Sequence, residues 1–292
     1  MINTLANYYK NKYGFRVFKL GLSTGIECPK RSDSCSFCVQ NTFIDEGLKN
    51  KNITQQIDYL IEKISKKVKA GGFIAYFQDN TSSFGELDYL FSLFSEADNH
   101  PQILEIIIST RPDYISVDFL EMLKNIKKPI TIEIGMQSAN DKSLIFLNRG
   151  HSQKDTEQAL KLIMKFSYRI GVHIILGIPD ETIEDIQNTL DFINKNECIN
   201  DVKIHHLAVF EGSKLATLGI KGISLDEYIE ILNYFLQRLR EDITVSRLFT
   251  SNLNRNQTML NDFPGVKRIW MNKFIKKYIP LDKNPPKKKF GF

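Results

Sequence analysis

Three of the four cysteines in this 292-residue chain lie close together and form its most informative chemical motif. Cys28, Cys35 and Cys38 have the spacing C-x6-C-x2-C, whereas Cys198 lies far along the chain. A structural zinc site prefers four ligands, whereas an iron–sulfur cube with three cysteine ligands keeps one iron free for a small molecule. No histidine adjoins the motif, although the fold could still bring a fourth zinc ligand to it. The spacing therefore favours an iron–sulfur cluster over a zinc ion.

Six short apolar, β-branched segments alternate with segments of helical periodicity. Strands are predicted at 15–22, 73–78, 103–109, 130–136, 172–178 and 202–209, and helices at 53–69, 86–97, 117–125, 154–168, 182–195 and 225–240. Nearly continuous apolar strands are typical of a parallel sheet that is covered on both faces. Six strand–helix units are fewer than the eight of a complete barrel, and the glycine-rich phosphate motifs of doubly wound sheets are absent. The pattern predicts an α/β fold, a partial (β/α)6 TIM-like barrel.

The residues outside these units predict two flanking segments. We expect a short N-terminal helix within 1–14, the barrel at 15–240, and a C-terminal extension at 241–292 with a strand at 243–249, a basic helix at 266–278 and a flexible end. The net charge is +5, and the last part of the chain, from Lys267, carries nine basic residues and one acidic residue. Basic residues interleaved with aromatic ones are typical of RNA-binding surfaces, and equally of a helix that closes the barrel edge with a solvated lysine face.

The chain has no apolar signal core at its N-terminus, and no segment approaches the length of a membrane span. We therefore expect a cytoplasmic protein without membrane contact. Thiols stay reduced in the cytoplasm, which favours a metal-binding role for clustered cysteines. In βα barrels the chemistry lies at the carboxyl ends of the strands, and the cysteine motif directly follows the first predicted strand.

Motifs spread over residues 10–250 resemble the radical S-adenosylmethionine (SAM) superfamily. Besides the cysteine motif, the resemblance is carried by FIAYFQDNTSSF (73–84), STRPD (109–113), EIGMQSANDKSLIFLNRGH (133–151), HIILGIPDET (173–182) and VKIHHLAVFEGSKLA (202–216). Within the superfamily the chain is most similar to the Elp3-like group, and in it to the small bacterial family of YhcC/YtqA type. Two features depart from the family pattern: the first cysteine gap is shorter than usual, and Asp180 stands where a turn usually has glycine.

The resemblance implies both cofactors and the residues that bind them. A [4Fe-4S] cluster is expected on Cys28, Cys35 and Cys38, with SAM on its fourth iron. The cofactor-binding residues implied by position are Phe37, Phe77, Gln78, Ser109, Glu133, Gln137, Arg149 and His173. A planar guanidinium suits Arg149 to pairing with the SAM carboxylate. Lys203 and His205 on the sixth strand are candidate catalytic residues on the substrate side.

Several of these residues also have a purely structural interpretation. Gln137 could cap the following helix, and His173 could be a hydrogen-bonded core residue. Arg149 could pair with Glu133 or Asp141 across the barrel mouth. Glu133 lies in a buried strand and therefore needs a partner or a functional role. We favour a functional role for Gln137 and Arg149, and both interpretations stay open for Ser109 and His173.

The expected function is that of an enzyme that cleaves SAM to a 5′-deoxyadenosyl radical with an electron from a flavodoxin- or ferredoxin-like donor. The Elp3-like resemblance and the basic C-terminal helix point to tRNA, and specifically to a wobble-uridine side chain. Two alternatives stay open: radical SAM chemistry on a small metabolite or a protein, and a non-catalytic, zinc-bound RNA-binding module.

Overall fold

Eight parallel strands form one curled sheet in the computed structural model, which describes residues 2–29, 33, 35–39, 45–250 and 258–261. The strands are β1 (Asn3–Thr4), β2 (Val17–Leu22), β3 (Gly72–Phe77), β4 (Ile103–Thr110), β5 (Ile130–Gln137), β6 (Arg169–Leu176), β7 (Ile199–His206) and β8 (Thr244–Arg247). Their order is β1-β8-β7-β6-β5-β4-β3-β2. The predicted α/β partial barrel and the strand that follows it are confirmed, whereas the predicted basic helix at 266–278 lies outside the described residues.

Nine helices lie in the described part of the chain. They are α1 (Leu5–Tyr13), α2 (Ile53–Ser65), α3 (Leu87–Asn99), α4 (Val117–Leu123), α5 (Asp141–Phe146), α6 (Gln153–Met164), α7 (Ile183–Lys195), α8 (Lys214–Thr217) and α9 (Leu225–Arg238). Of these, α1 closes one end of the barrel and the long helices cover the outer face of the sheet. A capping box begins α7 and another begins α9. They are formed by Thr182 with Asp185 and by Ser224 with Glu227, and they pair backbone N–H groups that have no partner within the first turn of a helix. Within the described part of the chain, no helix has the length and apolar character needed to cross a membrane.

Strand β3 shows how the two-residue period of a strand separates the inside of the barrel from its outer core. Phe73, Ala75 and Phe77 pack in the large core between the sheet and the helices. Ile74 and Tyr76 belong to a separate cluster inside the barrel. Because successive side chains point to opposite faces, polar residues at the inward positions of the strands are collected in the barrel interior.

Helix α1 covers the amino-terminal end of the barrel. Tyr9 is buried against Tyr76 and Ile107 from inside the sheet. Glu105, near the start of β4, accepts a hydrogen bond from the Tyr13 hydroxyl at 2.5 Å. The helix thus fills the end of the barrel that lies opposite the strand ends where chemistry is expected.

Strands β6 and β7 begin three residues earlier than the apolar pattern predicts. The reason is a paired charge at their start: Arg169 donates from Nε and Nη2 to the two carboxylate oxygens of Asp201 at 2.7 and 2.9 Å. β6 ends before Gly177, which has a φ of +80°, and a Cβ there would lie 2.8 Å from Ile223. The Arg169–Asp201 ion pair therefore explains the early starts of the two strands, and the positive φ of Gly177 explains the end of β6. The apolar pattern alone does not predict either position.

The buried imidazole of His206 predicts a pH-dependent stability. Burial lowers the pKa of His206 to about 3, so the folded protein holds it neutral where the unfolded chain binds a proton. Because the folded pKa lies below the unfolded one, its contribution is complete above the unfolded pKa and is lost as the pH falls. We expect His206 to account for a loss of about 1.4 kcal/mol in unfolding free energy between about pH 7.5 and pH 5.5.

Urea unfolding of the wild type and His206→Gln at both pH values measures this contribution as the difference between their pH dependences. Tyr228→Phe is the matched control, because the Tyr228 hydroxyl donates to the Leu248 carbonyl in the same part of the core. The control should lose stability equally at both pH values. An unchanged pH dependence in His206→Gln would contradict the prediction.

Candidate active site

The chain that leads into the cysteine motif is held by two residues that follow β3. Asp79 accepts hydrogen bonds from the Ser23 hydroxyl at 2.6 Å and from the Thr24 backbone N–H at 3.0 and 3.1 Å. Asn80 donates from Nδ2 to the Ile26 carbonyl at 2.7 Å. Burial raises the pKa of Asp79, whereas these hydrogen bonds act in the opposite direction. The Asp-Asn pair of the FQDN segment therefore fixes the path of the backbone toward the first cysteine.

The Cys35–Cys38 turn is tied to two other strand–helix units of the barrel. Ser36 donates its backbone N–H to the Leu147 carbonyl, directly after α5, at 2.9 Å. Leu215, in α8, donates its backbone N–H to the Ser36 carbonyl, also at 2.9 Å. A further bond from Cys38 N to Cys35 O closes the turn itself at 2.9 Å. The two short helices that sequence periodicity missed therefore set the position of the cysteine pair.

Two arginine side chains approach the sulfur of the buried Cys35. Arg149 donates from Nη1 to Cys35 Sγ at 3.2 Å and from Nη2 to the Gly135 carbonyl at 2.9 Å. Nη1 of Arg111 lies 4.0 Å from the same sulfur. The Arg149 guanidinium also lies over the Phe37 ring, 6.0 Å from its centroid. The contact with Cys35, rather than a pairing with Glu133, therefore determines the orientation of Arg149.

Two buried N–H donors of these arginines, Nε of Arg111 and Nε of Arg149, have no hydrogen-bond partner among the described residues. The nearby His151 donates from Nε2 to the Met136 carbonyl, and its buried Nδ1, an acceptor in the neutral ring, is also unpaired among these residues. Burial, Arg149 and Arg111 lower the pKa of His151 to about 4, so its imidazole is neutral and does not add to the positive charge. Buried donors without partners are costly, and they indicate a polar ligand. The positive charge and free donors beside a thiol fit a thiolate-bound cluster and a carboxylate-bearing cofactor.

The geometry around a single metal ion differs from that around a cluster. Within the described residues, no three His, Cys, Asp or Glu side chains lie close enough together to bind one ion. In an iron–sulfur cube each cysteine binds a different iron atom, so the sulfur atoms stand farther apart than around one ion.

Below the cysteine end, the barrel interior contains a charged group centred on Glu133. Its carboxylate accepts hydrogen bonds from Lys19 Nζ at 2.7 Å and His173 Nε2 at 2.6 Å, and Lys203 Nζ lies 3.7 Å away. Burial alone would raise the pKa of Glu133, but Lys19 and Lys203 hold it well below its usual range. Burial and Lys203 lower the pKa of His173 to about 4. A neutral His173 therefore donates to an ionised Glu133.

Lys203 and His205, the predicted catalytic residues, face into the same interior. Lys203 Nζ hydrogen-bonds to the Tyr76 hydroxyl and lies 4.5 Å from the centroid of the Tyr76 ring. His205 Nδ1 lies 3.2 Å from the Thr250 hydroxyl, and its ring is 5.8 Å from the His173 ring. Burial lowers the pKa of Lys203 and of His205 well below their usual values, which leaves the His205 imidazole neutral, whereas Glu133 acts on Lys203 in the opposite direction.

Three of the predicted cofactor-binding residues lie at the carboxyl ends of the strands, inside the barrel. Gln137 ends β5 with a φ of +70°, and its Nε2 lies 3.0 Å from where a Cβ on Gly135 would be. The Gln78 amide lies over Gly21, where a Cβ would collide with it. Ser109 is on the inward face of β4, in register with Glu133. Gly21 and Gly135 have no side chain, and the amides of Gln78 and Gln137 occupy the space that this leaves.

Two predicted side chains lie elsewhere. Phe77 ends β3, but its ring is fully buried on the outer face and packs edge-on against Phe94 with centroids 4.8 Å apart. Its backbone alone borders the strand ends. His173 lies in the middle of β6 rather than at its end and contacts Glu133. The period of the strand decides the placement of Phe77, which shares the outer face with Ala75, whereas the bounds of β6 put His173 in mid-strand.

Lys19, Tyr76 and Arg111 belong to the site although sequence reasoning did not select them. Lys19 and Tyr76 are the polar members of otherwise apolar strands, a signal comparable to the one that selected Glu133. Arg111 directly follows β4 in the STRPD motif, at the end of the barrel where chemistry is expected. Each therefore carried a local signal, whereas its partner across the barrel was not visible in the sequence.

Comparison with known proteins places the chain in a family. The model of the radical SAM superfamily matches residues 22–193. Protein YhcC of Escherichia coli is 27% identical over 263 residues, which cover 86% of this chain and 84% of YhcC. The chain belongs to the radical SAM superfamily. The predicted similarity to the YhcC/YtqA type is also confirmed.

The Elp3-like similarity appears in both sequence and fold. A tRNA uridine(34) acetyltransferase of Methanocaldococcus infernus is 28% identical over 181 residues, which cover 60% of this chain and 33% of that protein. The structure of Methanocaldococcus infernus Elp3 with an N-terminal deletion has a TM-score of 0.63 at 20% identity, covering 79% of this chain and 56% of that chain. At this identity the structural likeness shows a shared fold.

Removing the charge of Glu133 should destabilise the barrel. In Glu133→Gln, Lys19 and Lys203 lose the carboxylate that compensates them, and leaving a buried ion without its partner costs about 3 kcal/mol of unfolding free energy. Urea unfolding at neutral pH measures the loss. Glu62→Gln is the matched control, because it removes an exposed partner of Lys66 and should leave the midpoint unchanged. Equal midpoints for Glu133→Gln and the wild type would contradict the role given to Glu133.

Proposed function

We propose that this radical SAM superfamily enzyme modifies tRNA, at the side chain of the wobble uridine. The observation that supports the radical SAM chemistry of this proposal is the approach of two buried arginines, each with an unpaired Nε, to the Cys35 sulfur at the open end of the barrel. Such a pocket suits an anionic, sulfur-ligated cofactor better than it suits an apolar or cationic one.

In this proposal Cys28, Cys35 and Cys38 hold a [4Fe-4S] cluster, and Arg149 binds the SAM carboxylate. When bound, the cluster and SAM supply a 5′-deoxyadenosyl radical, with the electron coming from a flavodoxin- or ferredoxin-like donor. The three thiols require a reducing compartment such as the cytoplasm.

The chain's own residues supply orientation, proton transfer and exclusion of water. The amides of Gln78 and Gln137 and the Ser109 hydroxyl present polar groups at the strand ends, where the ribose and amine of SAM need partners. Lys203 accepts or donates a proton at Nζ on the substrate side, and its bond to Tyr76 holds that nitrogen in place. Helix α1 keeps the opposite end of the barrel filled. A filled interior protects a reactive intermediate from solvent.

Two features support tRNA as the substrate. The acetyltransferase relative is named for uridine 34 of tRNA, although the match covers about a third of its length. The sequence of the predicted basic helix at 266–278, outside the described residues, interleaves lysines with aromatic side chains. Lysines attract phosphates and aromatic rings stack on unpaired bases, which is how loops of RNA are bound.

The cysteine assignment predicts the metal content of single variants. Alanine at Cys28, Cys35 or Cys38 should each abolish most of the bound iron and sulfide, because a cube with two protein thiolates is poorly held. Cys198→Ala is the matched control and should keep the wild-type content, since Cys198 packs beside the main core, away from the motif. Iron and sulfide assays on protein purified without oxygen make the measurement. One zinc ion in place of iron would contradict the assignment.

The substrate assignment is tested with tRNA from a strain that lacks the gene. Incubation with reconstituted protein, SAM and dithionite should change the wobble-uridine nucleoside detected by mass spectrometry, with release of 5′-deoxyadenosine. Cys38→Ala protein should leave the nucleoside unchanged. Release of 5′-deoxyadenosine with an unaltered tRNA nucleoside profile would overturn the tRNA assignment and leave a small metabolite or a protein as the substrate class.

A further inference from the structure

Arg111, in the STRPD motif, is a buried cation to which the proposed binding of SAM gives no role. Its side chain is 4% exposed, and it enters the site directly after β4. Nη1 lies 4.0 Å from Cys35 Sγ, and Nη2 donates to Asp113 at 2.7 Å. Nε has no hydrogen-bond partner among the described residues. The guanidinium is therefore held by a carboxylate on one side and turned toward a thiol on the other.

The charges around Cys35 are unbalanced without a further anion. Two guanidinium groups, of Arg111 and Arg149, approach the sulfur, whereas Asp113 is the one carboxylate within ion-pair distance of either among the described residues. Asp113 is partly exposed, with 27% of its side chain accessible, so solvent weakens its compensation. Burying an uncompensated cation is costly, which means that this position is stable when an anion lies beside it.

The Arg149 guanidinium and the Arg111 guanidinium face different neighbours. Arg149 also donates to the Gly135 carbonyl, at the strand end where Gln137 lies, and it is the group that the SAM carboxylate would neutralise. Arg111 is fixed to Asp113 instead and lies over the Tyr114 ring, 5.8 Å from its centroid, and its approach within the site is to the cysteine sulfur. Once SAM is bound, Arg111 is the cation left facing the sulfur-ligated group.

A cation at this position changes the energy of adding an electron. Reduction makes a thiolate-bound cluster one charge more negative, and a guanidinium near a ligand sulfur stabilises the reduced form more than the oxidised form. Net charge and hydrogen bonds at the sulfur atoms are the quantities by which a protein sets a cluster potential. Asp113 acts in the opposite direction, because its carboxylate offsets the charge of Arg111.

We propose that Arg111 is a positioning residue that acts through Cys35 and raises the reduction potential of the cluster, with Asp113 setting how much of its charge the cluster experiences. The inference rests on the proposed function, because it needs the cluster on the three cysteines. It separates two roles: Arg149 binds SAM, and Arg111 sets the potential at which the electron enters.

A redox titration followed by electron paramagnetic resonance, on anaerobically reconstituted protein with and without SAM, tests this proposal. Arg111→Gln should lower the midpoint potential, and Asp113→Asn should raise it, because each removes one charge of opposite sign. Arg111→Lys keeps the charge and should return the potential toward the wild-type value. The dissociation constant of SAM should stay near the wild-type value in Arg111→Gln and rise in Arg149→Gln.

The two variants of opposite sign separate electrostatics from damage to the fold, since a folding defect would not move the potential in both directions. Unchanged potentials in variants with wild-type iron content would overturn the role of Arg111. Equal potentials with weakened SAM binding in Arg111→Gln would overturn it too, by assigning Arg111 to the SAM carboxylate. Failure of the wild type to assemble a cluster would instead overturn the proposed function, so the two failures are distinguishable.

Discussion

The contact between Lys19 and Glu133 is the constraint around which this barrel is built. Lys19 is on β2 and Glu133 is on β5, with β3 and β4 between them in the sheet, yet Nζ and Oε1 are 2.7 Å apart. Such a contact requires the sheet to curl until its inward faces meet. The hydrogen bond between Lys203 on β7 and Tyr76 on β3 also requires the sheet to curl, because the two strands are not neighbours in it. Burial of an ionised carboxylate is tolerable here because cations from both sides of the barrel compensate it.

The side chains inside the barrel form three layers along its axis, and each layer has a different composition. Tyr9 and Glu105 join α1 to the strands at one end, and the group around Glu133 fills the middle. At the other end, the Cys35 thiol meets Arg149 and Arg111. The stable apolar packing lies between sheet and helices, so the inside of the barrel is free to carry charge. This separation explains how a chain with a large apolar core also holds many buried polar groups.

Much of the fold was predictable because its signals are local. Apolar runs predicted six strands, helical periodicity predicted the helices between them, and the three cysteines indicated the chemistry of the site. Asp180, the departure noted in the sequence, adopts a positive φ of +64° at the position where the family usually has glycine. Charged strand starts such as Arg169 were missed, because hydrophobicity does not reveal a residue whose burial depends on an ion pair.

The site was predictable in composition but less so in arrangement. Gln137 and Arg149, the two residues for which a functional role was favoured, lie close together, since Nε2 of one and Nη2 of the other are each 3.0 Å from where a Cβ on Gly135 would be. Contacts across the barrel were not predictable, since the sequence specifies which face a side chain takes but not what meets it there. Arg111 shows this limit: its charge was visible in the sequence, whereas the sulfur that it faces lies 76 positions away along the chain.

The backbone bonds of Ser36 to Leu147 and Leu215 also bear on how the cysteine motif varies in length. The second and third cysteines are held by elements after β5 and β7, and Asp33, in the gap before Cys35, accepts a hydrogen bond from Asn148 Nδ2 at 2.7 Å in the same place. Residues can therefore be added to or removed from that gap while the pair stays in place, and doubling a loop costs about 0.6 kcal/mol in closure entropy. The six-residue gap of this chain is therefore a change in loop length that leaves Cys35 and Cys38 in place.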